Sequence, residues 1–207
     1  MYKRNFEMVK ERSKGWMSMN NKELIERYPF LMPRNRWTGK IPEEFNYSYT
    51  ELDAMPDGWR KAFGERMCEE IRNALIEENY LDEYRISQIK EKYGMLRWYS
   101  FGTTQKVEDI IYKYEYISRF ICMNCGRPYA KELDIGWVYT LCENCASYMF
   151  PAMTHLYWVD ATDDFQPIKK STTIKGWHDG KEYTREIPVW DTWCAIVEDY
   201  LNGKYGE

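Results

Sequence analysis

Histidine is almost missing from this chain: His155 and His178 are the only two in 207 residues. That scarcity removes much of the acid–base and hydrolytic metal chemistry that relies on imidazole near neutral pH. His178 stands beside an expected hairpin turn, and His155 lies in the apolar, strand-like run Met153-Thr-His-Leu-Tyr-Trp158, so both read as structural. No G-x-S-x-G elbow, H-E-x-x-H pair or H-x-E deaminase signature occurs. Thr38-Gly39-Lys40 ends like a phosphate-binding loop, but the upstream glycine such a loop needs is Arg34. Long apolar runs are missing too, with no window near the 18 or so residues of a membrane span. The start, Met1-Tyr-Lys-Arg-Asn5, leads into no apolar signal segment. The expectation is a soluble, cytoplasmic protein without membrane contact. An excess of positive charge is also lacking, since the net charge is −4. Neutralising phosphates takes clustered Lys and Arg, so this balance speaks against a non-specific nucleic-acid binder and suits a partner of other, basic proteins. There is no internal repeat and no low-complexity tract.

What the chain has in surplus is aromatic residues, 17% in all, carried by 18 Tyr and 9 Trp. Such rings serve cores and binding surfaces alike. Asn20 with Glu23 three residues on resembles a capping box before Leu24, Ile25 and Tyr28. Residues 29 to 58 hold too much Pro and Gly for regular structure and read as a loop laid over the core by Phe30, Leu31, Trp37 and Phe45. Asp57-Gly58 then opens an amphipathic helix with Trp59, Phe63, Met67, Ile71 and Leu75 on one face and Cys68 at its flank. Residues 84 to 101 read as a β-hairpin turning near Lys92-Tyr93-Gly94, followed by a helix over about 106 to 120. Trp177-His178-Asp179-Gly180-Lys181 marks a second hairpin, with strands of about 171–178 and 181–189. A last helix starts at Asp191 as N-cap, buries Trp193, Ile196, Val197, Tyr200 and Leu201, and stops at Gly203.

Four of the six cysteines form two pairs, Cys122-Met-Asn-Cys125 and Cys142-Glu-Asn-Cys145. Each C-x-x-C presents two sulfurs on a tight knuckle, and the intervening gap fits the roughly 15 to 20 residues of a zinc ribbon. Gly126 supplies backbone freedom after the first knuckle; Ala146 stands at the matching place in the second. Gly136 to Leu141 reads as a strand leading into the second pair. The expected cofactor is a structural Zn²⁺ held by all four thiolates, with iron as the alternative metal. A redox dithiol has no use for a second pair. Trp137, Tyr139, Tyr148 and Phe150 are expected to dock this module on the body.

Other constellations are weaker. Glu77, Glu78, Asp82 and Glu83, and Asp160, Asp163 and Asp164, could be pressed into a nuclease-type Mg²⁺ site, but they read as a solvated helix end and a polar loop. Arg34, Arg36 and Lys40 around Trp37 make the best basic patch, a candidate nucleic-acid contact by charge and stacking, diluted by Glu43, Glu44, Asp53 and Asp57.

Three stretches carry a resemblance: Tyr28-Pro-Phe-Leu-Met-Pro-Arg-Asn-Arg-Trp-Thr-Gly39, Tyr49-Thr-Glu-Leu-Asp-Ala-Met-Pro-Asp-Gly-Trp-Arg-Lys-Ala-Phe-Gly64 and Gln88-Ile-Lys-Glu-Lys-Tyr-Gly-Met-Leu-Arg-Trp-Tyr99. They resemble recurrent proteins of phages and prophages of Gram-positive bacteria, in which a cysteine-pair module also follows the hairpin. The resemblance covers residues 28 to 145 and brings no catalytic residue. It implies an infected bacterial host's cytoplasm and a protein that antagonises host defence, with zinc-containing anti-CRISPR proteins that bind the Cas9 effector and block DNA loading as the matching class. The expected fold is α+β: a body over 1–120, a zinc ribbon over 121–150, and a hairpin with a C-terminal helix over 151–207. The expected function is protein binding without catalysis, with Trp37, Trp98, Tyr99, Trp158 and Trp177 as candidate anchors on the partner. The rival is a zinc-ribbon nucleic-acid binder using Arg34, Arg36 and Lys40.

Overall fold

In the computed structural model, residues 19–35, 38–152, 168–178 and 181–204 are described, the side chains of 176–178 excepted. The chain enters through α1 (Asn21–Arg27), whose capping box forms as expected. Asn20 Oδ1 accepts the Glu23 N–H at 3.0 Å, and Glu23 Oε2 accepts the Asn20 N–H at 2.9 Å. The Pro-rich stretch that follows is less irregular than its composition implies. Two short 3₁₀ turns, Pro29–Leu31 and Glu51–Ala54, bury Phe30, Leu31 and Leu52, and Phe45 packs partly against the core.

The long helix runs from Asp57–Trp59 through a π-helical stretch, Arg60–Gly64, into α2 (Glu65–Glu77). Its five core residues recur every four positions, and in an α-helix each such step overshoots a turn by about 40°. A π turn holds more residues and takes back part of that drift. Trp59, Phe63, Met67, Ile71 and Leu75 accordingly all stay buried, with Cys68 beside them.

β1 (Arg85–Lys92) and β2 (Met95–Phe101) pair antiparallel around Tyr93-Gly94. Both turn residues have positive φ, 54° and 70°, the geometry of a type I′ turn. α3 (Gln105–Ser118), N-capped by Thr104, lies along the outer edge of β2. There Ser118 Oγ accepts the Leu96 N–H and Glu115 Oε1 accepts the Trp98 N–H, both at 2.9 Å. Side chains of one helix thus close a strand edge that would otherwise be open to pairing. Burial pushes the Glu115 carboxyl above its ordinary pKa, the Trp98 N–H and Arg97 working the other way.

After the metal module, described below, β5 (Ser171–His178) and β6 (Lys181–Pro188) form the expected hairpin. An Arg185–Asp109 ion pair ties it to α3. α5 (Trp190–Leu201) ends the described chain. Two expectations for α5 need correction. It begins at Trp190 after Val189, so Asp191 is a first-turn residue instead of the N-cap. Leu201 is 75% exposed, because the apolar stripe that buries Trp193 and Ile196 has rotated away from the core by the last turn.

The fold is α+β. Counting the Asp57–Glu77 run as one, five helices and three two-stranded antiparallel sheets occur among the described residues. One large buried cluster reaches from Leu24 to Ile196 and includes Val189 and Trp193. A second, small one holds Cys122, Ala130, Leu133, Leu141, Cys142 and Ala146. No helix among the described residues is long and apolar enough to cross a membrane.

Candidate metal centre

The first knuckle is shaped by its own backbone. Gly126 donates its N–H to the Cys122 carbonyl at 2.9 Å, the Cys122 N–H reaches the Arg127 carbonyl at 2.8 Å, and Ile121 bridges to Pro128. Gly126 has φ +85°, a conformation that glycine adopts without strain. The second knuckle follows a hairpin, β3 (Lys131–Asp134) with β4 (Val138–Leu141); the sequence signalled only the latter strand. Cys142 then caps α4 (Glu143–Met149), and Cys145 lies in its first turn.

This arrangement brings the sulfurs of Cys122, Cys125, Cys142 and Cys145 within 4.8 Å of one another, as a group that could hold a metal ion. Cys125 Sγ and Cys142 Sγ are 3.6 Å apart, far longer than a disulfide bond, and all six cysteines are free thiols. A tetrahedral ion with metal–sulfur bonds of about 2.3 Å needs sulfur–sulfur edges of about 3.8 Å, so the cluster fits one. Asn124 Nδ2 points an N–H at Cys145 Sγ from 3.2 Å. Cys122 and Cys142 are buried; Cys125 and Cys145 are half-buried. The thiols divide into two classes. Hydrogen bonds from Cys122, Cys125 and Cys145 hold Cys142 far below the ordinary thiol pKa, while the sharing of protons with Cys125, Cys142 and Cys145 pushes Cys122 well above it. Four negative sulfurs cannot coexist this close together without a cation between them.

The module sits on the body through backbone contacts. The Gly58 N–H donates to the Met123 carbonyl at 2.9 Å, and Trp59 Nε1 donates to the Ile121 carbonyl at 2.8 Å. A Cβ on Gly58 would stand 2.6 Å from Gly126 N and collide with the Cys122 carbonyl. On the other side, Thr140 Oγ1 donates to the Gly94 carbonyl at 2.5 Å. The aromatic docking expected from sequence does not occur in full: Trp137 and Tyr148 are 61% and 63% exposed, whereas Tyr139 and Phe150 stack on each other at 5.2 Å within the module. Nothing in the sequence marked Gly58 and Trp59 as the joint, although a Gly at a helix start invited the question.

The candidate anchors divide. Trp98 is buried, 3% exposed, its Nε1 donating to Tyr84 Oη at 2.8 Å, so its role as a surface anchor is corrected. Tyr99, on the opposite face of β2, is 42% exposed with Lys90 Nζ 5.1 Å from its ring centroid. Trp177 contributes backbone to β5; its side chain, with Trp37 and Trp158, lies outside the described residues. Of the basic patch, Arg34 and Lys40 are exposed, and Arg34 Nη1 donates to the Gly39 carbonyl at 3.1 Å, closing its own loop; Arg36 lies outside the described residues. Asp160, Asp163, Asp164 and His155 also fall outside them, as does the His178 side chain. Glu77 pairs with Lys106, and Glu78 accepts from the Thr104 hydroxyl; neither joins Asp82 or Glu83 in a cation site among the described residues.

A cleft of about 760 Å³ opens beside the π-helical stretch. Its charges are largely matched in pairs, Arg27 with Glu69, Lys113 with Glu70, and Arg66 and Lys204 with Asp199. Burial acts against it, but hydrogen bonds from Tyr28 and Arg27 hold the Glu69 carboxyl below its usual value.

No family model matches the chain, and neither does any curated protein or solved structure.

Proposed function

We propose that this protein is a non-enzymatic binding protein whose four-cysteine module holds a structural Zn²⁺. The observation that carries this is the closed cluster of Cys122, Cys125, Cys142 and Cys145, with sulfurs within 4.8 Å. Four thiolates fill a tetrahedral ion and leave no position for water or substrate, so the metal supplies folding energy instead of Lewis-acid chemistry. The module's small buried cluster agrees, because six residues of that size hold little apolar area of their own. The test is metal content by elemental mass spectrometry. The wild-type chain is expected to carry one zinc, and Cys142→Ser less than one, with lowered thermal stability. A Cys142→Ser protein with full zinc and unchanged stability would sink the assignment.

The finer reading follows from the sequence resemblance: a mobile-element protein acting in the cytoplasm of an infected bacterium, docking on a host defence nuclease of the Cas9 type and blocking DNA loading. Net acidity supports it, because nucleic-acid channels of such partners are basic. A nuclease-treated pull-down from lysate expressing Cas9 tests it. A stoichiometric Cas9 band is expected; its absence, with nucleic acid retained in an untreated control, would promote the nucleic-acid reading built on Arg34, Arg36 and Lys40.

A further inference from the structure

The joint between module and body leaves the module's largest rings in solvent. Trp137 is 61% exposed and Tyr93, at the tip of the β1–β2 hairpin, 67% exposed. A Cβ on Gly94 would lie 3.0 Å from Thr140 Oγ1 and 3.1 Å from Val138 Cγ1, so the hairpin tip abuts β4. Tyr93 precedes Gly94 and Trp137 precedes Val138. Two separate elements therefore bring two exposed rings to adjoining positions.

Tyr93 is also a poor choice for its own backbone. A type I′ turn favours Asn-Gly, and a tyrosine at φ 54° is strained there. Its exposure means that little burial offsets the strain. What the ring does meet is a cation: Lys92 Nζ stands 5.3 Å from its centroid, within cation–π range. The surroundings lean acidic. Glu132 and Asp134 are exposed on β3, opposite Thr140 and Val138, and Glu91 Oε1 accepts the Gly94 N–H at 2.7 Å. Across 121–150, Arg127 and Lys131 face Glu132, Asp134 and Glu143, and Arg127 lies 5.7 Å over the Tyr200 ring.

We propose that Tyr93 and Trp137, rimmed by Glu132 and Asp134, form a docking surface for an Arg/Lys-bearing segment of a partner protein. The rings take the guanidinium or ammonium groups on their faces, and the carboxylates supply the matching charge. The same acidic rim repels a phosphate backbone. The proposal deepens the binding reading above and rests on it.

The experiment uses the intact, metal-loaded chain and calorimetric titration with the peptide (Arg-Gly-Gly)₅, with (Glu-Gly-Gly)₅ as the opposite-charge probe. The arginine peptide is expected to bind, more weakly as salt rises, and the glutamate peptide not to bind. Trp137→Ala is expected to lose about tenfold in affinity at full metal content, and Glu132→Lys to lose affinity with the fold intact. Tyr93→Asn is the sharpest variant. Asparagine suits the turn, so its melting midpoint is expected to rise while binding weakens, a split that a merely structural tyrosine would not produce. Phe101→Ser is the control: Phe101 is 64% exposed at the opposite end of the hairpin and is expected to leave binding unchanged. The proposal is overturned if the arginine peptide does not bind, if Trp137→Ala and Tyr93→Asn bind at wild-type strength, or if Phe101→Ser loses as much as they do. A protein partner captured in the pull-down and still retained by Trp137→Ala overturns this surface alone and leaves the binding reading standing.

Discussion

Trp98 and Tyr99 are neighbours on β2, and the two-residue period of a strand sends them to opposite faces. Trp98 goes inward, where its indole N–H finds the Tyr84 hydroxyl; Tyr99 stays 42% exposed. Burial pushes the Tyr84 phenol well above its ordinary pKa, so it remains a neutral hydroxyl that can accept the indole N–H at any pH where the protein is folded. Tyr84→Phe leaves that buried N–H without an acceptor, and the expected destabilisation is about 1–3 kcal/mol. A urea midpoint at wild-type value would show that water replaces the hydroxyl. Counting aromatic residues could not separate these two neighbours, although the alternation Leu96, Trp98 against Tyr99, Phe101 was there to be read.

At the scale of elements, the joint between the long helix and the first knuckle has the least tolerance. Gly58 serves as the start of the helix in sequence terms, yet its absent side chain has a tertiary reason: the Cys122–Gly126 backbone occupies the space. Gly58→Ala must push the knuckle away, breaking the Gly58–Met123 hydrogen bond and disturbing the Trp59–Ile121 one. The expected loss is about 1–3 kcal/mol, with faster transfer of metal to a colorimetric chelator. A Gly58→Ala protein that holds metal at wild-type rate would mean that knuckle and helix are energetically independent. The β2 edge shows the same dependence between elements. A helix seventeen and twenty-two residues further on supplies Glu115 and Ser118 to amides that the hairpin cannot satisfy by itself.

Across the whole molecule, stability is shared unevenly between a large apolar cluster and a small one that includes two of the four ligating thiols. Metal removal is therefore expected to act locally first. Hydrogen exchange after treatment with a strong chelator at neutral pH should show amides over 121–146 losing protection, while those around Met67, Ile71 and Leu75 stay slow. Uniform loss of protection would show that module and body unfold as one unit. The exposed rings of Tyr93 and Trp137 ride on this arrangement, since the hairpin tip and β4 meet only while the module is seated.

The local features were settled by sequence alone, because each depends on short-range chemistry. Two C-x-x-C knuckles, an Asn20–Glu23 capping box, a 59-63-67-71-75 stripe and the hairpins at Tyr93-Gly94 and Asp179-Gly180 each need only neighbouring residues to specify them. What the tertiary structure decided was which faces meet. It turned Trp98 inward, turned Trp137 and Tyr148 outward, carried Leu201 away from the core, and seated a metal knuckle on the bare backbone of Gly58. Those outcomes rest on contacts between residues up to 68 positions apart, such as Gly58 and Gly126, and the packing of whole elements sets them instead of any local preference.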